Sequence, residues 1–356
     1  MDIEQQFFLG EVGLARFPEV LPQVKHPLIV TRGTVKERYL SSVVSAFKLQ
    51  DYEVFSGFEP CPTLAQVQSC SLDVVSKCDA LIAIGGGSAM DCAKAIKHEM
   101  LEHLKASGAD AATLEQWGAL PLVTVATTFG SGSEVTPFAV IYTEKGKISL
   151  GSPELTPNVC FSVAEFGLSV PQSQRAAAAC DCLCQGIEAY WATQGNEYSG
   201  ALALTCIKQC VNFMRAAVLE QDLGAQEVMA QASLLSGRAI SISRTTAAHA
   251  LSYYFTQYHG IAHGHAVALI MRSLFALNYA AIENGRMLLL TLGLHSSAEF
   301  KPWLEQLMRD LGLRSSFADF SLPESELDKA VASVNLQRLA NNPAPLTAEQ
   351  LRSLLC

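Results

Sequence analysis

Leu81-Ile82-Ala83-Ile84-Gly85-Gly86-Gly87-Ser88-Ala89-Met90-Asp91-Cys92-Ala93-Lys94 is the stretch whose reading decides the fold. Four apolar residues with no polar break predict the end of a strand buried on both faces, as parallel strands are. Three glycines then let the chain turn tightly with no Cβ in the way. Ser88 is placed to cap a helix that starts at Ala89, with Ala93, Ala95 and Ile96 on its buried side. A glycine turn between a strand end and a helix start gathers backbone N–H groups on one spot, and that spot suits a phosphate. A dinucleotide pyrophosphate is therefore expected over residues 85–88; the bare alternative is a tight βα turn with no ligand. The run is Gly-Gly-Gly-Ser and not GxGxxG, so it is a related phosphate turn and not the usual dinucleotide fingerprint.

Outward from this stretch, strands and helices alternate. Residues 27–31 read as an early strand and Arg32-Gly33-Thr34 as a turn, with an amphipathic helix over 35–49. Residues 52–55 read as a second strand, 63–77 as a second helix, and 80–84 as the strand above. A βαβαβ order predicts a parallel, doubly wound sheet with ligands beyond the carboxyl ends of its strands. Residues 110–118 read as a polar insert before a strand over 120–126. That strand ends in Thr127-Thr128-Phe129-Gly130-Ser131-Gly132-Ser133-Glu134-Val135-Thr136, a second loop of backbone and hydroxyl donors, or an ordinary surface loop. Residues 138–142 form a further strand, Glu144-Lys145-Gly146 a hairpin-like turn, Lys147 starts a short strand, and 158–164 is the last strand. From about Val170 the chain turns rich in alanine and leucine at helical spacing. The expected organisation is an α/β nucleotide-binding domain over 1–165 and an all-α domain over 166–356, with the active site in the cleft of the pair.

The totals agree with an enzyme core and exclude other classes. Of 356 residues, 49% are apolar and only 17% are charged, enough to bury a large core. A net charge of −9 argues against nucleic acid or an anionic membrane as partner. No uninterrupted apolar run is long enough to span a bilayer. Eleven cysteines, with no secretory pattern in MDIEQQFFLGEVG, predict reduced thiols and a cytoplasmic location.

In the helical half, Asp181 and Gln185 are four apart on a helix over 176–193 and share one face. His249 lies in a helical stretch over 245–255, and His263 in the loop 260–264 before a helix over 266–276. One oxygen donor and two imidazoles suit a divalent metal with an open position, although a histidine taken alone is more often a hydrogen-bonded core or surface residue.

The whole chain resembles the iron-containing (group III) alcohol dehydrogenases. GGGSAMDCAKA is similar to the family's GGGSxxDxAK, TTFGSGSEVT to TTxGTGSEVT, and the run from Asp181 to Tyr190 to DALxHxxEAY, while His249 and His263 match two later metal histidines. The resemblance implies the dehydroquinate-synthase-like two-domain fold, hydride transfer with NADPH or NADH, Fe(II) or Zn(II), and a homodimer. It implies cofactor contacts from Gly86, Gly87, Ser88, Asp91, Thr127, Thr128, Ser133 and Lys147. It implies metal positions at Asp181, Gln185, His249 and His263, with Gln185 standing where the family has histidine. Tyr253 replaces a frequent family histidine and is placed either to relay a proton, a role that water or the cofactor ribose could equally fill, or to line the pocket. Arg32 replaces the aspartate of NAD-preferring members and predicts acceptance of a 2′-phosphate; the alternative is a solvated surface residue.

Arg244-Thr245-Thr246 brings a cation and two hydroxyls just ahead of His249, which suits a phosphonate, sulfonate or carboxylate; the bland reading is that Arg244 pairs with a carboxylate such as Glu188 and only ties helices together. Residues 244–269 look like the phosphonoacetaldehyde reductase branch of the family. The expected activity is reduction of a small anionic aldehyde, phosphonoacetaldehyde or a sulfonate analogue. The alternatives are a metal-deficient cofactor-binding protein and a dehydroquinate-synthase-like lyase.

Overall fold

A computed structural model describes residues 5–144, 146–334 and 339–355. Its described strands are Gln6–Leu9 (β1), Leu28–Val30 (β2), Glu53–Phe55 (β3), Leu81–Gly85 (β4), Leu122–Ala126 (β5), Phe138–Thr143 (β6), Gly146–Gly151 (β7) and Val159–Ser162 (β8). Six form one sheet in the order β1-β8-β5-β4-β2-β3, every described pair parallel. All of β2, β4, β5 and β8 is buried, which is why these segments read as continuous apolar runs and not as alternating ones. The winding reverses between β2 and β4, where Val30 pairs with Ala83. A reversal of this kind leaves a crevice at the strand ends, so Arg32 and Gly86 follow the two strands that flank the ligand-binding edge.

The chain divides into two units, Met1–Thr128 with Ser133–Gly167, and Phe129–Gly132 with Leu168–Cys356. In the first, Phe17, Phe47 and Phe161 pack against Ile29, Ile82 and Val123. The Phe17 and Phe47 rings stack with centroids 3.9 Å apart. Helix Gly33–Phe47 (α1) follows β2 and helix Gly87–Ala106 (α2) follows β4.

The second unit is helical. Gln172–Trp191 (α3), Glu197–Arg215 (α4), Leu223–Ser243 (α5), Ala247–His259 (α6) and His263–Tyr279 (α7) supply most of its core. Glu197–Glu220 has the length and apolar composition of a membrane span, but Ala203, Cys206, Ile207, Cys210 and Met214 on it are buried, and α4 packs on α3 and α5. The ten described cysteines are all free.

Several local readings are corrected. The second helix is two short ones, Leu64–Gln68 and Leu72–Val75, because the Ser69 hydroxyl bonds back to Gln66 O and the chain breaks at 69–71. The polar insert is a helix, Ala111–Gly118, capped by Asp110 Oδ1 accepting from Thr113 N at 2.8 Å; it has no buried side chain, so no apolar stripe marked it. Ser88 is not the cap of α2. Gly86 is the N-cap, and the Ser88 hydroxyl accepts from Cys61 N at 3.4 Å. His263 is not in a loop but opens α7. β1 had no signal strong enough to predict it. β6 and β7 pair antiparallel as a separate two-stranded sheet; Lys145 of their turn lies outside the described residues.

Candidate active site

In the first unit the glycine turn is held against the β5 end. A Cβ on Gly86 would meet Thr128 Oγ1 at 2.4 Å, so only glycine lets these two segments approach. The hydroxyls of Thr31 and Thr127, both buried at carboxyl strand ends, have no hydrogen-bond partner among the described residues. Buried hydroxyls normally have one, and two orphans at this edge fit a ligand rich in acceptors. Behind the turn, Asp91 accepts from Ser133 Oγ at 2.8 Å and from Val140 N at 3.0 Å. Lys94 is fully buried and donates to Ser133 O at 2.6 Å and Phe138 O at 2.8 Å. Burial pushes this amine down to about 8, with Asp91 opposing. Asp91 and Ser133 thus bond to each other and stiffen the turn from behind. Lys94, part of the glycine motif, was not predicted as a tie. Lys147 lies on β7 opposite Tyr142. Arg32, at the N-cap of α1, pairs with Glu59 and lies over the Phe58 ring.

In the second unit Asp181, His249 and His263 bring one ligand atom each within 4.8 Å of one another. His249 Nε2 is 3.2 Å from Asp181 Oδ1, and its Nδ1 bonds to Glu188. Glu188 is completely buried, two turns along the same face of α3 as Asp181. Its Oε1 accepts from Thr246 Oγ1 at 2.6 Å and Ala248 N at 2.9 Å. Burial by itself would lower the His249 imidazole, but Glu188 and Asp181 outweigh it and push it up to about 10. Two buried carboxylates around one ring make a potential that favours a cation. Gly264 permits the approach: a Cβ there would lie 2.0 Å from Ala177 O and 2.5 Å from Asp181 Cβ. His263 Nδ1 is 3.4 Å from Ser252 Oγ, and the Tyr253 ring stacks on His263 at 5.0 Å.

Gln185 is engaged with the protein at both ends of its amide. Nε2 donates to Ser131 O at 3.0 Å, and Oε1 accepts from Ser236 Oγ at 3.0 Å. The carbonyl of Ser131 demands a donor, which fixes the amide orientation.

Arg244 does not pair with Glu188, whose oxygens face His249, Thr246 and Ala248. It is exposed, caps the end of α5, and has φ 62° and ψ 178°. That backbone region is essentially reserved for glycine and costs a side-chain-bearing residue about 1–3 kcal/mol. His259 pairs with Glu326 at 3.0 Å and His265 Nε2 bonds to Arg314 O at 2.7 Å, so both are tied to the protein.

Sequence reasoning missed Glu188 as the group that orients His249. Its signal was its seven-residue separation from Asp181, two turns along the same helical face.

Residues 5–162 match the family model for iron-containing alcohol dehydrogenase, and residues 175–356 match the C-terminal model of the Fe-containing alcohol dehydrogenase family. The chain is 28% identical over 344 residues to alcohol dehydrogenase 4 of Schizosaccharomyces pombe, covering 93% of this chain and 81% of that one. It is 32% identical over 216 residues to the phosphonoacetaldehyde reductase of Streptomyces viridochromogenes, covering 57% and 54%. Among solved structures, sulfoacetaldehyde reductase from Bifidobacterium kashiwanohense in complex with NAD+ superposes with a TM-score of 0.86 at 26% identity, over 99% of this chain and 96% of that one. The two family matches span nearly the whole sequence, and the chain belongs to the iron-containing alcohol dehydrogenase family.

Proposed function

We propose that this oxidoreductase reduces a small anionic aldehyde, with phosphonate or sulfonate as the head group, to its alcohol. The observation that carries the reading is the Asp181–His249–His263 cluster, with Arg244 five residues before His249. The relatives named for phosphonoacetaldehyde and sulfoacetaldehyde reduction support the same choice of substrate. The bound cofactor supplies the hydride and a divalent ion supplies carbonyl polarisation. The chain's residues do the rest. Gly86, Gly87 and Ser88 offer backbone N–H groups to the pyrophosphate, with Thr127 and Thr128 beside them. Asp181, His249 and His263 hold the ion, and Glu188 keeps Nε2 of His249 turned to it. Arg244 binds the anionic head group, and Tyr253 hands a proton to the product oxygen. Lys147 is assigned to the cofactor ribose. The working unit is taken as a cytoplasmic homodimer. The primary test is oxidation of NADPH and NADH with phosphonoacetaldehyde, sulfoacetaldehyde and propanal, with added Fe(II), Zn(II) or chelator. Turnover of propanal alone sinks the substrate assignment.

Arg244→Ala is expected to raise KM for an anionic aldehyde about 100-fold, the weight of a charge-assisted contact, and KM for propanal less than about threefold. Equal effects on both would remove Arg244 from the site.

Gln185, its amide held by Ser131 and Ser236, is assigned as a tie and at most a weak oxygen donor to the ion. Gln185→His should then tighten Zn(II) binding about 10–100-fold, the usual weight of one metal-site contact, in a chelator competition. Unchanged or weaker binding would show that the position cannot reach the ion.

Arg32 is assigned to the 2′-phosphate of NADPH. An exposed ion pair such as Arg32–Glu59 is worth about 0–1 kcal/mol, so Glu59 is a weak competitor. Arg32→Ala should raise KM for NADPH about tenfold and for NADH far less. A wild-type enzyme that uses NADH alone refutes the assignment.

A further inference from the structure

We propose that Asn341 is a positioning residue: it holds the strained turn that carries Arg244, and so sets the preference for anionic aldehydes. The inference rests on the reading of Arg244 as the anion-binding group.

Asn341 is 2% exposed and 97 positions from Arg244 along the chain. Its Nδ2 donates to Ser243 O at 2.8 Å and to Thr245 O at 3.1 Å, the carbonyls on either side of Arg244. Its Oδ1 accepts from Gln194 N at 3.0 Å and Thr193 Oγ1 at 3.2 Å, and its own carbonyl accepts from Thr193 N at 3.1 Å. One buried amide therefore ties the turn to the end of α3, the helix that carries Asp181 and Glu188. The turn is fixed from its other side too. Thr246 Oγ1 donates to Glu188 and accepts from Trp191 Nε1 at 3.0 Å. Ser243 Oγ bonds to Ala239 O and Arg244 O, both at 3.0 Å.

An arginine in a glycine-type conformation returns to an ordinary one unless its neighbours prevent it. The two N–H bonds from Asn341 hold both flanking carbonyls on the same side and prevent that return. Glycine at 244 would relieve the strain, and an arginine there presents a guanidinium along a direction that an unstrained backbone would not give. Ordering a cation opposes anion binding, and a clamped backbone fixes the point and direction from which the Arg244 side chain leaves the chain, so less ordering is left to oppose it.

Asn341→Asp isolates the clamp. The aspartate keeps the acceptor toward Gln194 and Thr193 and loses both donations to Ser243 and Thr245. KM for phosphonoacetaldehyde should rise at least about tenfold, while KM for propanal and Zn(II) content move less than about threefold. Adding Arg244→Ala to Asn341→Asp should add little, because both changes remove the same interaction. Should Asn341→Asp fail to fold, Asn341→Ser takes its place, with the thermal midpoint as control. Equal losses on both aldehydes, or an unchanged KM for phosphonoacetaldehyde in Asn341→Asp while Arg244→Ala raises it, would overturn the inference and leave Arg244 in its assigned role. Equal effects of Arg244→Ala on both aldehydes would remove that role and the inference together.

Discussion

Asp181→Ala is expected to strip the divalent ion from the purified protein and to lower kcat/KM for the aldehyde by about a thousandfold. Three donors hold the ion in the proposed arrangement, and Asp181 is the only one with a charge. Its carboxylate lies 3.2 Å from His249 Nε2, so its removal leaves two imidazoles facing each other with no anion between them. Loss of carbonyl polarisation costs several kcal/mol of barrier, and each 1.36 kcal/mol is a factor of ten. Cofactor affinity is a separate readout. The glycine turn is built from β4, α2 and the β5 end, so fluorescence titration with NADPH should give a Kd within about threefold of wild type if the two sites are independent. Full turnover in an ion-free Asp181→Ala protein would end the metal-assisted reading.

Glu188 carries the second large effect. Glu188→Gln keeps the shape of a side chain that is completely buried and removes its charge. The His249 ring then loses the carboxylate at Nδ1, and ion affinity should fall about 10–100-fold, as it does when the group behind a ligating histidine is removed. Glu188→Ala goes further. Thr246 Oγ1, Ala248 N and His249 Nδ1 all lose their acceptor in a dry interior. Breaking such a buried set costs about 3–5 kcal/mol of folding free energy. Chelator competition reads the first variant, and denaturant unfolding of the ion-loaded protein reads the second. A Glu188→Gln protein that holds Zn(II) as tightly as wild type would make Glu188 purely structural.

Much of the first unit was legible because its signals are local. The run from Leu81 to Lys94 contains its strand, its turn and its helix start within fourteen residues. Errors arose where a segment lacked the expected apolar face, as at residues 111–118, or where serines broke a helix, as at 69–71. In the second unit the candidate ligands were found by motif, since spacing says nothing about their distance. His249 and Asp181 are 68 positions apart and 3.2 Å apart.

Residue chemistry read along the chain was enough to establish the parallel α/β sheet, the glycine turn between its strand and helix, and the family. Apolar periodicity and glycine act through the backbone within a few residues of where they stand. Folding alone decided that Gln185 turns its amide to Ser131 and Ser236, that Glu188 backs His249 and not Arg244, and that Asn341 brackets Arg244. Each of these depends on which faces of distant helices meet. A hydrogen bond across 51 or 98 positions is set by packing of the core, and packing is a property of the whole fold.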